Sequence, residues 1–323
     1  MPRISVVMPV YDGENYLRTS IDSVLRQSFK DFELIISDDC SIDNSSKIID
    51  SFKDPRIKCI KQNSNLGIFK NLNILFKVAS APLIKIFCQD DIMGEKCLEV
   101  LSDKLSDFPE VRFAYSRSNF IDAKGELIDI NYYKKHKFYA DIPTVINSNE
   151  AYRYYVAFGC LPGNLSNIIL RNEVLRTVGY FIEDKPYCAD FEYWIRIAKK
   201  YPFLQVEEKL LYIRRHKGQA SFLLNKRLEL IKEEIPIYKS LINSGFDCCE
   251  KKDLESCFLR SRGFQYLDWS IKAALLLKFK IFLLGILSIR SMGLSLIRLV
   301  IIYIFTFRGR FFRPNYLKII RRG

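Results

Sequence analysis

Residues 4–10, with the sequence ISVVMPV, form a short and mostly apolar run near the start of the chain. Similar runs follow at residues 32–37, 57–61 and 83–87, and segments with helical spacing of apolar residues lie between and after them, at residues 14–27, 43–52, 68–79 and 95–108. Continuously apolar strands that alternate with helices are typical of a parallel sheet covered on both faces. The sequence therefore predicts a doubly wound α/β domain with a mostly parallel sheet and right-handed connections.

Beyond residue 110 the alternation is less regular. Residues 111–116 indicate a strand, residues 123–126 (AKGE) a hairpin turn, and residues 165–170 and 210–215 further strands. Helices are predicted at residues 190–200 and from about Phe222 onward. A polar, tyrosine-rich stretch at residues 131–155 is expected to lie over the edge or mouth of the sheet.

Polar residues follow four consecutive predicted strands, at the point where each strand ends. The four groups are residues 9–12 (PVYD), 37–39 (SDD), 63–67 (NSNLG) and 89–91 (QDD). Because open parallel sheets bind ligands at the carboxyl ends of their strands, these groups are expected to outline one crevice. Each group alone can also be explained by turn formation or helix capping, for which Asp, Asn and Gly are common.

Two pairs of adjacent aspartates make a ligand site the better explanation of this crevice. Like charges held together are costly unless a cation or hydrogen-bond donors compensate them. Mg²⁺ and Mn²⁺ sites that serve phosphates use one or two carboxylates, completed by phosphate oxygens and water, so Asp90 and Asp91 are predicted to bind one of these metals. Asp38 and Asp39 can accept bonds from a base or a ribose, beside the ring of Tyr11. No GxGxxG or GxxxxGK[ST] motif follows a predicted strand, which disfavours dinucleotide and P-loop chemistry.

Several segments, in the right order, resemble glycosyltransferase family two, whose members have the GT-A (Rossmann-like) fold. Residues 5–14 (SVVMPVYDGE) and 23–28 (SVLRQS) look like the family's opening segments. Residues 38–43 (DDCSID) are similar to its acidic nucleoside-binding turn, residues 65–67 (NLG) to its Asn-x-Gly segment, and residues 87–91 (FCQDD) to its metal-binding DxD-type motif. The resemblance spans about residues 4–221 and implies an inverting, metal-dependent enzyme that uses a nucleotide-sugar donor.

The crevice and the resemblance together predict a set of binding residues. The donor is expected to contact Pro9, Tyr11, Asp12, Glu14, Asp38, Asp39, Asn65, Gly67, Lys70, Asp90 and Arg215. The metal, Mn²⁺ or Mg²⁺, is expected to contact Asp91, Asp90 and His216, although His216 is almost as well explained as a polar surface residue.

The sequence departs from the family pattern in three places. Cys88 and Gln89 replace the frequent acidic start of the metal motif, and Asp12 replaces a frequent Asn. Leu72 stands where many members have Arg, so the diphosphate is expected to rely on Lys70 or on residues 214–215 (RR).

Residues 189–198 (ADFEYWIRIA) resemble the helix that carries the family's general base, with Asp190 at the matching position. Inversion requires that the acceptor hydroxyl loses its proton as it attacks the anomeric carbon from the side opposite the departing diphosphate, whose charge the metal stabilises. Asp190 can also cap the helix, and both roles can hold at once. Glu192 is the rival base, but it lies about 200° around the helix, so only one carboxylate can face the crevice.

The net charge of +13 resides mainly in the tail, residues 269–323, which contains eleven Lys and Arg and no Asp or Glu, leaving 13 − 11 = +2 for residues 1–268. The uncharged runs of this apolar tail are shorter than the roughly 20 residues of a spanning helix. The tail is therefore expected to lie on an anionic membrane surface as interfacial helices or a re-entrant hairpin. One marginal span, a buried helix pair and a dimer interface are the alternatives. Nucleic acid is disfavoured because the tail's aromatic residues lie in aliphatic context.

Nine cysteines without a CxxC pair, and a start that does not resemble a signal peptide, predict reduced thiols in the cytosol. The expected organisation is a GT-A domain at residues 1–221 (nucleotide-sugar half about 1–116, acceptor half about 117–221), a helical connector at 222–268 and the tail. The predicted function is transfer of a sugar, most naturally from a UDP-sugar, to a glycan or lipid-linked acceptor in cell-surface polysaccharide synthesis at the cytoplasmic face of the membrane. The alternative is a non-catalytic nucleotide-sugar-binding or membrane-assembly module with the same fold.

Overall fold

The computed structural model describes residues 2–129, 142–216 and 224–258, together with Arg262 and Leu267. The chain divides into two compact units, the first formed by residues 1–148 and 162–216 and the second by residues 149–161 and 217–323. The predicted tail lies outside the described residues, as does the part of the tyrosine-rich stretch at residues 130–141.

The first unit contains the sheet and the helices that cover it. Its strands are β1 (Ile4–Val10), β2 (Phe32–Asp38), β3 (Ile57–Lys61), β4 (Leu83–Ile86), β5 (Ile92–Met93), β6 (Phe113–Ile121), β7 (Val145–Ile146), β8 (Ile168–Arg171) and β9 (Phe203–Arg214). Its helices are α1 (Leu17–Leu25), α2 (Ser45–Ser51), α3 (Ile68–Val78), α4 (Cys97–Asp107), α6 (Val174–Thr177) and α7 (Ala189–Ala198). Helix α5, Ala151–Phe158, belongs to the second unit.

Within the described residues the strands form one sheet in the order β3-β2-β1-β4-β8-β6-β9-β5, with β7 also paired to β9. Strands β1 to β4 are parallel where they pair, and β6 is parallel to β9. Strand β8 is antiparallel to β4 and β6, and β5 and β7 are antiparallel to β9. Most strands therefore run in one direction, and the predicted α/β fold with a mostly parallel sheet is confirmed.

The burial of the strands explains why they are recognisable in the sequence. Every residue of β1 and β2 is buried, because helices cover both faces of the sheet at this point. Strand β3 is at the edge of the sheet and has a mostly exposed, lysine-containing sequence, IKCIK. Charged residues are typical of edge strands because they discourage pairing with another chain.

The later strands differ from the prediction in extent. Strand β9 begins at Phe203 rather than at the predicted residue 210. The exposed charged residues 207–209, which interrupt the apolar pattern, lie inside the strand, next to a register shift against β6. Residues 165–170 begin as a 3₁₀ turn, Leu165–Asn167, and only then become β8. The hairpin turn is confirmed, since Gly125 has a positive φ of 91° and the Asp122 N–H donates to the Glu126 carbonyl at 2.9 Å.

The second unit is helical where it is described. It consists of α5, α8 (Leu224–Asn243) and α9 (Cys248–Phe258), which confirms helical character beyond residue 222. The buried carboxylate of Glu250 accepts bonds from Arg153 Nε and from the Tyr152 hydroxyl, both at 2.8 Å, and these bonds join α9 to α5. Among the helices that the structure describes, none combines the length and the apolar character that crossing a membrane requires.

Candidate active site

The loops after β1 and β2 are fastened together by hydrogen bonds. Asp12 Oδ1 accepts from the backbone N–H of Ile42 at 2.9 Å, and Glu14 Oε2 accepts from the side chain of Asn44 at 2.8 Å. Asp12 has a positive φ of 46°, a conformation that Asp and Asn tolerate better than most residues. Two of the predicted donor-binding residues, Asp12 and Glu14, are thus bonded to the neighbouring loop.

The loop after β4 joins the loop after β1 through one side chain. The Gln89 amide accepts from the Tyr11 N–H and donates to the Tyr11 carbonyl, both at 2.8 Å. Ser20 of α1 donates to the carbonyls of Gln89 and Asp91, each at 2.7 Å, which holds the β4 loop from below. The backbone of Tyr11, whose ring is exposed, is therefore held in place by hydrogen bonds.

The adjacent residues Asp38 and Asp39 have different roles at the end of β2. Both carboxylate oxygens of the buried Asp39 accept backbone bonds, from Leu66 at 2.8 Å and from Gly67 at 2.9 Å. Asp39 therefore fixes the loop before α3. In Asp38, Oδ1 accepts from the backbone N–H of Ser41 at 3.0 Å, and Oδ2 makes no hydrogen bond with the described residues. Asp38 is also buried, at 4% exposed, and Oδ2 is the acceptor that it retains for a ligand.

The remaining predicted donor contacts lie along the same edge of the sheet. Pro9 is buried in β1 opposite Ser37, and Asn65, Gly67 and Lys70 are exposed in and after the loop that precedes α3. Gly67 has a φ of +82°, and a Cβ at this position would meet no atom within 4 Å. Glycine is favoured there by backbone conformation rather than by lack of space.

The carboxylate of Asp91 is buried and bonded on both oxygens. Ser166 Oγ donates to Oδ2 at 2.6 Å, and the Arg214 N–H donates to Oδ1 at 3.0 Å. Burial, and after it the charge of Asp90, raises the pKa of Asp91 to about 8. Lys85, itself buried, donates to the Ser166 carbonyl and so holds the start of β8 against this carboxylate. Asp91 joins β4, β8 and β9 at the base of the site.

Asp90 and His216 meet at the rim of the crevice. His216 Nε2 lies 3.2 Å from Asp90 Oδ2, and the two side chains are 20% and 21% exposed. Tyr16 packs on the imidazole with ring centroids 4.9 Å apart. Of the predicted metal ligands, these are the two that reach the surface together.

The residues present fit a divalent cation that arrives with a phosphate ligand. Among the described residues no three His, Cys, Asp or Glu side chains converge on one point, so the protein alone does not complete a coordination shell. Mg²⁺ and Mn²⁺ at phosphate sites are held by one or two carboxylates, with phosphate oxygens and water as the other ligands. Asp90 and His216 would hold such a cation, and the partially exposed rim leaves room for the remaining ligands.

Arg214 and Arg215, which precede His216 in the chain, differ in burial. Arg214 is buried and donates to the carbonyls of Asp90 at 2.8 Å and Asp122 at 3.0 Å, with its guanidinium over the ring of Tyr16. It is therefore committed to structure, and the expectation that Arg214 contacts the diphosphate is not supported. Arg215 is partly exposed, lies over Phe120 and remains a candidate for that contact.

Asp190 and Glu192 both lie in the first turn of α7, and Glu192 is paired with a cation of the same helix. Glu192 forms a two-oxygen ion pair with Arg196, with distances of 2.9 Å to Nε and to Nη2. Asp190 is partly exposed and accepts from the Phe191 N–H at 2.7 Å. The N-cap residue of α7 is Cys188, so Asp190 is not the cap that the alternative explanation requires.

Helix α7 is connected to the sheet through β9. The helix leads into β9 at Phe203, which pairs with Phe113 at the start of β6, so α7 ends at the edge where the parallel strands begin. Its ten residues rise about 15 Å, a length comparable to the distance from that edge to the edge where those strands end. Asp38 and Asp90 lie at that edge.

Sequence patterns did not reveal the residues that brace the site. The sequence places Gln89 in a polar group at a strand end and at a substituted motif position but predicts no bracing role for it, and it does not single out Ser166 or Lys85. A signal for Ser166 exists in the polar residues 164–167 (NLSN), because β8 is antiparallel and its start, rather than its end, lies at the crevice.

Comparison with known proteins gives the site a context. The sequence model described as "Glycosyl transferase family 2" matches residues 5–158. An uncharacterised glycosyltransferase of Methanocaldococcus jannaschii is 30% identical over 221 residues, which cover 66% of this chain and 71% of that protein. This chain belongs to glycosyltransferase family 2. Glycosyltransferase activity is thereby supported, as the resemblance implied.

Two further proteins extend the comparison of this glycosyltransferase. The UDP-Glc:α-D-GlcNAc-diphosphoundecaprenol β-1,3-glucosyltransferase of Escherichia coli is 27% identical over 236 residues, covering 72% of this chain and 84% of that protein. A mannosyltransferase of Pyrobaculum calidifontis, solved with GDP-Man and Mn²⁺, has the same fold, with a TM-score of 0.57 and 14% identity over 99% of this chain and 83% of that one. Divalent metal use therefore occurs among proteins of this fold.

Proposed function

We propose that this glycosyltransferase transfers a sugar, with inversion, from a UDP-sugar to a glycan or lipid-linked acceptor in cell-surface polysaccharide synthesis. The observation that carries the proposal is the Asp90–His216 pair, 3.2 Å apart, at the rim of a crevice whose four loops are fastened to one another. The name of the Escherichia coli relative, which includes a UDP-sugar donor and a diphosphoundecaprenol-linked acceptor, supports the choice of substrates.

The donor is bound at the carboxyl ends of β1 to β4. The uracil and ribose lie between the exposed ring of Tyr11 and the unbonded Oδ2 of Asp38. Lys70 and Arg215 supply positive charge to the diphosphate. Asp90 and His216 hold Mn²⁺ or Mg²⁺, which when bound stabilises negative charge on the departing diphosphate.

Asp190 acts as the general base. Its carboxylate accepts the proton of the acceptor hydroxyl as that oxygen attacks the anomeric carbon. Glu192 is less suited to this role because its charge is paired with Arg196, whose guanidinium would compete with the incoming proton. The acceptor therefore approaches from the side of α7, opposite the diphosphate.

The tail, residues 269–323, attaches the enzyme to the cytoplasmic face of the membrane. Its eleven basic residues without any acid favour anionic lipid head groups. A lipid-linked acceptor lies at the same surface, so attachment would bring the enzyme and its second substrate together.

The decisive experiment is a donor screen with the purified full-length protein. It is incubated with UDP-, GDP- and TDP-sugars in the presence of Mn²⁺, Mg²⁺ or EDTA, and nucleotide release is measured by chromatography with and without lipid-linked acceptors. Release of UDP that requires metal supports the proposal, and the anomeric configuration of the product, read by proton NMR, tests inversion. Metal-dependent UDP-sugar binding without release under any condition would support the non-catalytic alternative instead.

A further inference from the structure

The segment that precedes α7 has an unusual set of partners. This segment, residues 177–181, is called the α7 leader. Each of its five backbone carbonyls accepts a hydrogen bond from a side chain, in chain order from Lys200 at 2.8 Å, Arg196 at 2.7 Å, Tyr193 at 2.9 Å, Arg196 at 2.8 Å and Asn73 at 3.0 Å. The first four bonds come from α7 or the turn after it, so the leader is fastened to that helix. The fifth comes from α3.

Asn73 is a polar link from α3 to the leader that α7 holds. It is only 3% exposed, and its amide forms a two-bond ring with the backbone of Phe181, because Nδ2 donates to the carbonyl and Oδ1 accepts from the N–H, both at 3.0 Å. Nδ2 also donates to Glu183 Oε1 at 3.1 Å. A buried amide that bonds both backbone groups of one residue fixes their relative position, since leaving any of these groups unpaired is costly.

The aromatic contacts of Phe181 fix its position less precisely than its hydrogen bonds to Asn73 do. Phe181 packs between Phe69 and Phe76 of α3 and Tyr193 and Trp194 of α7, with ring centroids 4.5 to 5.7 Å apart. Such packing stabilises the junction, but the hydrophobic effect is non-directional and permits small shifts of one helix along the other. The hydrogen bonds of Asn73 are directional and oppose those shifts.

The two helices joined by Asn73 carry opposite sides of the proposed reaction. Helix α3 starts after Gly67, whose N–H is held by Asp39 beside the nucleoside end of the crevice. Helix α7 carries Asp190 in its first turn, one turn before Tyr193. We propose that Asn73 is a positioning residue that sets the place of Asp190 relative to the bound donor. This inference rests on the proposed role of Asp190 as the base.

A double-mutant cycle tests the inference. Asn73→Ala should lower kcat about tenfold, because small misplacements of a catalytic group reduce rate strongly, while UDP affinity in the presence of Mn²⁺ stays within about twofold. In the Asp190→Asn background the same substitution should have no further effect on the residual turnover, since its influence passes through the missing base. The cycle therefore separates positioning from a general loss of structure.

Asn71→Ala provides a matched control. Asn71 belongs to the same helix, is 1% exposed and also donates from its amide, but to the Ser37 carbonyl of β2 at 3.0 Å. Its replacement removes one hydrogen bond rather than three and should lower the Tm less, and any change in turnover should be equal in the wild-type and Asp190→Asn backgrounds. An Asn73→Ala effect of equal size in both backgrounds, or an equal fall of UDP affinity and turnover, would overturn the positioning role.

Hydrogen exchange gives a readout that does not depend on activity. Asn73→Ala should increase amide exchange in residues 182–192, and Asn71→Ala should not. Unchanged exchange in this segment would overturn the inference. A wild-type protein that transfers no sugar would contradict the proposed function, and the exchange experiment would then still decide whether Asn73 holds the start of α7.

Discussion

Gln89 and Tyr11 are joined by two hydrogen bonds of 2.8 Å, although they are 78 residues apart in the chain. The Gln89 amide donates to the Tyr11 carbonyl and accepts from the Tyr11 N–H, the same pair of bonds that a residue of a neighbouring antiparallel strand makes. Gly13 lies against the same amide, and a Cβ at this glycine would stand 2.6 Å from Gln89 Cδ. The loops after β1 and β4 are thus interlocked at one side chain.

This interlock predicts a coupling between Gly13 and Gln89. Gly13→Ala should lower the unfolding free energy by about 1–3 kcal/mol through overpacking, and the loss should shrink in a Gln89→Ala background, where the added methyl group has space. Thermal unfolding of the two single variants and the double variant measures the coupling. Gly94→Ala is the control, because its Cβ would stand 2.8 Å from the Leu210 carbonyl and its cost should be the same in both backgrounds. Additive effects of Gly13→Ala and Gln89→Ala would contradict the predicted clash.

Because Asp90 and Asp91 have different environments, substituting them should affect UDP binding and stability differently. Asp90→Asn or His216→Ala should weaken Mn²⁺-dependent UDP binding about tenfold or more, equivalent to ~1.4 kcal/mol, with little change in Tm. Asp91→Ala should also lower the unfolding free energy by about 1–3 kcal/mol, because Ser166 Oγ and the Arg214 N–H lose their acceptor. Calorimetric titration and thermal unfolding distinguish the two outcomes. Unchanged affinity in both Asp90→Asn and His216→Ala would remove the metal assignment.

The ion pair of Glu192 predicts which carboxylate in α7 supports turnover. Asp190→Asn should lower kcat by roughly two or more orders of magnitude and leave UDP affinity nearly unchanged. Glu192→Gln should have a smaller effect on kcat and cost less than about 1 kcal/mol of stability, since it removes one partly exposed pair with Arg196. Initial rates at saturating donor provide the comparison. A larger turnover defect in Glu192→Gln would reverse the assignment of the base.

The buried carboxylate of Glu33 predicts a pH dependence of stability. Burial would raise the pKa of Glu33, but hydrogen bonds from Lys58, Ser5 and Ser80 outweigh burial and lower the pKa below its usual value. A lowered folded-state pKa contributes stability that is fully present above the unfolded pKa of about 4.3 and is lost as the pH falls through the folded pKa. Glu33→Gln should therefore be less stable than wild type near neutral pH, and the difference in Tm should narrow below about pH 4. A constant difference across this range would contradict the prediction.

If the tail attaches the protein to a membrane, removing residues 269–323 should abolish attachment and leave UDP binding intact. Removal of residues 269–323 keeps the Arg262 bond to the Tyr238 hydroxyl, at 3.0 Å, and the buried Leu267, so the helical unit retains these contacts. The truncated protein should bind UDP with Mn²⁺ but should no longer float with anionic liposomes. Neutralising the basic residues after 307 should give weaker attachment that salt reduces further, because exposed charges are screened beyond about 10 Å at 0.1 M salt. A full-length protein that stays soluble beside a truncation that unfolds would place the tail in a core or an interface.

Much of the fold followed from local patterns. The first four strands and the helices between them were predicted within a few residues, because burial on both faces makes each strand a continuous apolar run. Strands β5 and β7 were missed, since two residues of strand leave no recognisable period. Strand β9 was shortened in the prediction because its charged residues 207–209 interrupt the pattern, although pairing with β6 resumes at Lys209 after the register shift.

The sequence by itself indicated that acidic residues end the strands of an α/β sheet and that the pairs Asp38–Asp39 and Asp90–Asp91, together with Asp190, are the residues to test. Only the tertiary structure distinguished the two members of each aspartate pair. Asp91 is bonded by Ser166 and by the backbone of Arg214, which are 75 and 123 residues away along the chain. Asp39 likewise holds a loop that begins more than 20 residues later. Apolar periodicity and turn preferences are properties of neighbouring residues and can be read from a sequence, whereas the hydrogen-bond partners of a carboxylate are decided when distant segments pack together.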